Sequence, residues 1–267
     1  MRLALIQMAA RERKEDSLAV AADFIKKAGE AGADMAVLPE MFNCPYDTAN
    51  FPKYAEEERG YCWKAMSKAA ADNGIWLVAG SMPEKDDAGK IYNTCYAFDR
   101  AGVQVAKHRK MHLFDIAVKG GQHFMESETL SPGNTVDVFQ TEFCMVGLEI
   151  CYDIRFPELS RFTTLKGAEL IIVPAAFNMT TGPAHWKLTF RARALDNQVY
   201  FAGCSQARRT DAGYVSYGNS IITSPWGEVT ARMDEKEGLL VQEIDLSLVS
   251  KVREQLPLLK QRRTDIY

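Results

Sequence analysis

The chain has 267 residues, with 32 lysines and arginines against 35 aspartates and glutamates for a formal net charge of −3, a near-balance that excludes a nucleic-acid binder driven by bulk charge. With 47% hydrophobic and 25% charged residues, it has the composition of a water-soluble globular protein rather than a disordered, collagenous or membrane-spanning one. No Pro/Gly/Ser-rich linker or charge block marks a boundary, so residues 1–267 are read as one domain. Arg2–Met8 is the first predicted strand, an apolar run interrupted by Gln7. Leu18, Ala21, Ala22, Ile25 and Ala28 then recur at helical spacing, and Gly32 closes that helix. A second strand covers Asp34–Leu38, one helix is predicted over Lys53–Asn73 with Gly74 as its stop, and strands follow at Ile75–Gly80 and Tyr92–Phe98. Phe114 to Asn134 reads as one uninterrupted loop, and loops of that length tend to carry function. Beyond it come a strand at Phe143–Ile150, a helix from Pro157 to Gly167 and a strand at Glu169–Val173. A fourth helix opens at Pro183 with Leu188, Ala192 and Leu195 on one face, ahead of strands at Val199–Cys204, Ser220–Thr223 and Leu239–Ile244. About nine strands alternating with helices define an α/β fold in which helices cover the sheet.

The cysteines Cys44, Cys62, Cys95, Cys144, Cys151 and Cys204 lie far apart with no C-x-x-C pair. That usage fits reduced thiols in a chain large enough to fold without staples, and points to the cytoplasm. No secretory leader pattern and no apolar run of membrane-spanning length is present, so no membrane partner is expected. Each thiol is by default a small buried hydrophobe. Cys151 stands apart by position, because Cys151-Tyr152-Asp153 occupies the sharp connection between a strand and the helix at Pro157. Such a turn exposes a side chain at the sheet edge and aims the following N–H groups at whatever the thiol attacks. A nucleophile and a structural thiol both satisfy that position.

The usual partner of a nucleophilic cysteine is histidine. His108, His112, His123 and His185 nevertheless each read as structural or surface residues, and none offers metal-ligand spacing with a carboxylate in a helical frame. Two carboxylates and a lysine remain as base or cation. Glu40 leaves its strand through the rigid Pro39, Lys110 follows the extended stretch Val103–Ala106, and Glu126 lies in the long loop. Taken singly, each reads equally as a solvated surface charge.

Three blocks tie these residues together: Leu38-Pro39-Glu40-Met41-Phe42-Asn43, Lys107-His108-Arg109-Lys110-Met111-His112-Leu113-Phe114, and Gly147-Leu148-Glu149-Ile150-Cys151-Tyr152-Asp153-Ile154-Arg155-Phe156-Pro157-Glu158. In that order they resemble the motif blocks of the nitrilase, or carbon–nitrogen hydrolase, superfamily. Asn43-Cys44-Pro45-Tyr46, Ile91-Tyr92-Asn93-Thr94, Phe124-Met125-Glu126-Ser127 and the run from Phe177 to Trp186 make the chain similar to the ω-amidase branch. The resemblance implies an αββα four-layer sandwich, two sheets face to face with helices outside. It also implies a homodimer formed through helices near the nucleophile and the C-terminal tail, and chemistry without metal or organic cofactor.

By the same resemblance Cys151 is the nucleophile, Glu40 the general base, Lys110 with the Tyr152 N–H the oxyanion holder, and Glu126 a positioning carboxylate, with Glu128 two residues away as its competitor. The implied substrates are monoamides of small dicarboxylic acids, such as α-ketoglutaramate and α-ketosuccinamate. Tyr46, Phe42, Phe177, Asn178 and Thr181 are expected to line the pocket. Arg155 either grips the distal carboxylate or pairs with Glu158. The rival readings are an amidase for deaminated glutathione or another amidase of the same superfamily, a non-catalytic association module, and a redox sensor at Cys151.

Overall fold

The computed structural model describes residues 1–120 and 123–267. Its first half contains β1 (Arg2–Gln7), α1 (Lys14–Glu30), β2 (Met35–Val37), α2 (Phe51–Tyr54), α3 (Tyr61–Asn73), β3 (Trp76–Val78), β4 (Met82–Lys85), β5 (Ile91–Phe98) and β6 (Gln104–Arg109). A small hairpin of β7 (Asp115–Ala117) and β8 (His123–Met125) follows. The second half contains β9 (Val138–Gln140), β10 (Met145–Leu148), α4 (Pro157–Leu165), β11 (Leu170–Ala175), α5 (Gly182–Asn197) and β12 (Tyr200–Ser205). It ends with β13 (Ile221–Thr223), β14 (Val229–Arg232), β15 (Gly238–Glu243) and α6 (Ser247–Gln255).

The first sheet runs β15-β1-β2-β3-β5-β4, with β6 on β5, and the second runs β14-β13-β12-β11-β10-β9. Each has three parallel strands at its centre, β1-β2-β3 in one and β10-β11-β12 in the other, flanked by antiparallel neighbours. Strand alternation shows how the layers form. Leu3 and Leu5 of β1, Met35 and Val37 of β2, and Trp76 and Val78 of β3 join one cluster with Val146, Leu148, Leu170, Ile172 and Phe201 of the second sheet. The intervening Ala4, Ile6, Ala36 and Leu77 instead meet Leu18, Ile25, Met66 and Ala70 of α1 and α3. A period of two therefore sends alternate side chains to the facing sheet and to the helices, which is why these strands are apolar throughout. On the far side α5 buries Trp186, Phe190 and Ala194 against the second sheet. The layers are helix, sheet, sheet, helix: an αββα sandwich.

All nine expected strands are present with slightly different ends, and three expectations need correction. The helix expected over Lys53–Asn73 is two pieces, α2 and α3. Between them Glu56 pairs with β4, its N–H donating to Pro83 O at 3.2 Å and its C=O accepting from Lys85 N at 2.8 Å, while its carboxylate accepts the Cys62 N–H of α3 at 2.8 Å. Sheet pairing and capping thus outbid helix continuity. The stretch Phe114 to Asn134 is not one structureless loop, since it holds β7, β8 and a 3-10 turn at Glu126–Glu128; Gly121 and Gln122, also inside it, lie outside the described residues. Finally, α5 buries the face opposite to the one expected: Leu188 is 66% and Leu195 42% exposed. The bulkier aromatic face wins because Gly203 of β12 leaves room for Phe190, where an added Cβ would lie 2.4 Å from the ring.

Candidate active site

Glu40 lies just beyond β2, at the C-terminal edge where ligands gather in open parallel sheets. The turn is tight. Gly80, at φ +44°, passes so close that a Cβ there would sit 2.2 Å from Pro39 O, and Met41 itself takes a left-handed φ of 49°. Met41 N donates to Ser81 Oγ at 3.0 Å, and Gln206 Nε2 donates to Glu40 O at 2.8 Å, so the segment is held from two sides. Lys110 follows β6, its N–H bonded to Asn93 O at 2.8 Å. Glu126 opens the 3-10 turn after β8.

These side chains meet although they lie far apart in the chain. Lys110 Nζ donates to Glu40 Oε1 at 2.8 Å and to Glu126 at 2.9 Å, and all three residues are fully buried. Tyr46 OH lies 2.6 Å from Glu126 Oε1 and 3.1 Å from Glu40 Oε1, Asn93 Nδ2 donates to Glu40 Oε1 at 2.8 Å, and Phe114 N donates to Glu126 Oε2 at 2.7 Å. Burial works against the Lys110 charge, but Glu126 and Glu40 outweigh it and raise the ammonium well above its ordinary range. Glu126 is raised by burial and by Glu40, with Lys110 opposing. Glu40 Oε2 is buried without a conventional donor, which leaves it to the neighbouring Cys151 thiol.

Cys151 follows β10 in a left-handed conformation, φ 46°, at the head of the 3-10 turn Cys151–Arg155. A non-glycine residue there is strained and needs outside support. Asp153 supplies it. Its carboxylate accepts Ile150 N at 3.0 Å, His112 N at 2.9 Å, His112 Nδ1 at 2.8 Å and, on the buried side, His108 Nε2 at 3.1 Å. His108 Nδ1 meets Asp137 Oδ2 at 2.9 Å, and although burial opposes its charge these two carboxylates push the imidazole up to about 9. Asp153, opposed by burial, is held far below the carboxylate range by the two histidines. His108 and His112 are therefore supports of the turn, as the sequence suggested. Burial first, and the Glu40 charge second, push the Cys151 thiol well above its ordinary value despite Lys110 and the Ala176 N–H. The resting thiol is protonated and lies beside the Glu40 side chain, an arrangement that calls for a base.

A narrow pocket opens on Cys151, lined by Phe114, Tyr152, Arg155, Ala176, Phe177, Thr181 and Tyr214. Of the expected pocket residues, Tyr152, Arg155, Phe177 and Thr181 are there. Tyr46 stands behind it, its ring 4.5 Å from that of Tyr214. Phe42 does not reach the pocket: it is fully buried in the cluster under α1 and α3. Asn178 serves the backbone, its Oδ1 accepting Thr180 N at 3.0 Å and Thr181 N at 2.8 Å. Arg155 does not pair with Glu158 among the described residues; its Nη1 lies 3.0 Å from His185 Nδ1. Sequence reasoning missed Phe114, Ala176 and Tyr214. A wider cleft, lined in part by Tyr46, Phe124 and Tyr214, does not include the thiol. Among the described residues no cluster of side chains suited to a metal ion occurs.

Residues 2–254 match the carbon-nitrogen hydrolase family. The chain belongs to that family, and it is an enzyme that hydrolyses carbon–nitrogen bonds. Among its relatives, Xenopus laevis omega-amidase NIT2-A is 52% identical over 266 residues, spanning 100% of this chain and 96% of the relative. Homo sapiens omega-amidase NIT2 is 47% identical with the same coverage. Among solved structures, Saccharomyces cerevisiae Nit3, a member of branch 10 of the nitrilase superfamily, superposes with a TM-score of 0.91 at 40% identity, covering 98% of this chain and 96% of that one. An amidase from Nesterenkonia sp. AN1, carrying the acetamide moiety of fluoroacetamide on its active-site cysteine, gives a TM-score of 0.83 at 26% identity over 100% of this chain and 95% of that one.

Proposed function

We propose that this enzyme is an ω-amidase acting on monoamides of small dicarboxylic acids, α-ketoglutaramate and α-ketosuccinamate among them. The observation that carries the reading is the buried Glu40–Lys110–Glu126 cluster beside the Cys151 thiol, in a pocket that also holds the guanidinium of Arg155. Two full-length relatives named omega-amidase support the substrate class.

In this mechanism Glu40 takes the Cys151 thiol proton and the sulfur attacks the amide carbon. Lys110 and the Tyr152 N–H hold the oxyanion, an arrangement worth several kcal/mol of transition-state stabilisation. The tetrahedral intermediate collapses as Glu40 passes its proton to the departing ammonia, leaving a thioester. Glu40 then deprotonates water, which attacks the thioester and releases the acid and the thiol. Glu126, tied to Lys110 and Tyr46, keeps the ammonium in place. Arg155 takes the distal carboxylate, a fit that suits a planar guanidinium. No cofactor enters any step.

The proposal extends to the whole molecule. Residues 1–267 form one carbon-nitrogen hydrolase domain, and the six thiols, all free and buried, suit a reducing cytoplasm. No helix among the described residues is long and apolar enough to cross a membrane. Phe162 and Leu165 of α4 and Leu188 and Leu195 of α5 are exposed on adjoining helices, an apolar face that suits a homodimer.

The test is ammonia release from α-ketoglutaramate, α-ketosuccinamate, glutamine, deaminated glutathione and a simple aliphatic amide, with wild-type and Cys151→Ala protein. Preference for the two keto-acid monoamides, lost in the variant, is the expected result. Activity confined to deaminated glutathione keeps the mechanism and overturns the substrate, and turnover by Cys151→Ala overturns the nucleophile.

A further inference from the structure

The Arg155 guanidinium is held on several sides. Its charge sits 4.6 Å from the Phe177 ring centre and 5.6 Å from that of Tyr152, and its backbone oxygen accepts from Arg193 Nη2 at 3.2 Å. Burial lowers its pKa, and the groups that oppose this are Cys151, Tyr152 and Tyr214, with no carboxylate among them. Its Nε is buried without a hydrogen-bond partner. A buried N–H left without an acceptor on a half-buried guanidinium is costly unless something arrives to use it.

The remaining contact is to an imidazole. Arg155 Nη1 lies 3.0 Å from His185 Nδ1. A guanidinium offers only donors, so Nδ1 must be the acceptor in this contact, with the ring proton on Nε2. His185 is itself well anchored on the first turn of α5. Its N–H donates to Thr181 O at 2.8 Å, Gly182 N donates to Asn178 O at 2.7 Å, and the Asn178 side chain accepts from the Thr181 N–H at 2.8 Å and its hydroxyl at 3.0 Å. One braced turn therefore carries both Thr181, which lines the pocket, and His185.

We propose that His185 is a positioning residue for substrate specificity: by accepting from Nη1 it fixes the roll of the guanidinium and leaves the Nε edge of Arg155 facing the distal carboxylate of the substrate. The carboxylate is then bound side-on, by Nε and the adjacent Nη2, rather than end-on by the two terminal nitrogens. End-on binding would compete with the imidazole for Nη1; side-on binding uses the nitrogen that is buried and unpartnered. The proposal rests on Arg155 being the carboxylate grip. It assigns a purpose to a histidine that neither the thiol chemistry nor the turn beneath Cys151 uses.

The variants are His185→Leu, which removes the acceptor, His185→Asn, whose Oδ1 offers one at similar reach, and Arg155→Leu. Each is assayed for KM and kcat on α-ketoglutaramate, with a neutral aliphatic amide as control. Thermal unfolding and gel filtration check that fold and association are kept. For His185→Leu the expected result is a KM for α-ketoglutaramate raised about tenfold, the loss of roughly one hydrogen bond, with kcat changed less than about threefold. His185→Asn should restore KM to within about threefold of wild type. Equal KM values for His185→Leu and wild type, a His185→Asn as impaired as His185→Leu, or a loss confined to kcat each overturn the role of His185. If Arg155→Leu raises KM no more for α-ketoglutaramate than for the neutral amide, the carboxylate grip itself fails, and that result is distinguishable from failure at His185 alone.

Discussion

Replacing Glu149 by glutamine tests the electrostatics beneath the nucleophile's turn. Glu149 is fully buried two residues before Cys151, with Ser160 Oγ of α4 at 3.1 Å from Oε2 and no partner for Oε1. Burial pushes its carboxyl up to about 8, Ser160 opposing and Asp153 adding to the rise. A carboxyl that is harder to ionise when folded makes the unfolded chain lose its proton first, so stability falls as pH climbs from about 4.5 towards 8. At pH 7 the deficit spans about 2.5 pH units, or roughly 3 kcal/mol at 1.36 kcal/mol per unit. Glutamine keeps the shape and an oxygen for Ser160 and has no proton to lose. Its advantage over wild type should therefore grow by about 3 kcal/mol between pH 4.5 and pH 7, equivalent to a Tm gain of roughly 6–12 °C in a chain of this size. Denaturant unfolding of both proteins at the two pH values measures it. A Glu149→Gln difference that is the same at pH 4.5 and pH 7 would refute the reasoning, since packing changes alone carry no such pH dependence.

Two further outcomes follow from the geometry. Glu40→Gln leaves the contact to Lys110 an oxygen but removes the base, and turnover of any amide substrate should drop by about 10²–10⁴-fold with thiol alkylation still detectable; near-wild-type ammonia release would exclude Glu40 as the base. Gly203→Ala brings a Cβ to 2.4 Å of the Phe190 ring under α5, and chemical denaturation should show a loss of about 1–3 kcal/mol. Unchanged stability would mean that α5 shifts freely on its sheet.

Much of the architecture was legible because local rules and tertiary demands agree. Apolar runs such as Leu3–Ile6 and Leu170–Val173 are buried on both faces, and a run of that kind is a strand wherever the second layer comes from. Pro157 and Gly167 bracket α4 as their backbone preferences require. The failures occurred where two local rules competed. Leu188 and Leu195, like Trp186, Phe190 and Ala194, recur at helical spacing, and only the volume freed at Gly203 favours the second set. Glu56 lies inside a helical pattern but is taken by an edge pairing with β4, which no local signal announces. Asn93 lay within a segment already singled out, yet its bond to Glu40 is a fact of the β5 register and not of the segment.

Residue chemistry and spacing by themselves determined the strands, the strand-to-helix turn at Cys151, and the presence of a carboxylate or a lysine just past several strand ends, because backbone preference and alternation act over a few residues. Only the tertiary structure decided that Glu40, Lys110, Glu126 and Cys151 share one buried site, that Phe42 turns away from it, and that Tyr214 and Phe114 wall it in. Those contacts depend on the order of strands in two sheets and on the path of a segment through Tyr214 that has no periodicity. Protonation follows the same division: a carboxyl such as Glu149 reveals nothing of its state until the packing around it removes the water that would solvate its charge.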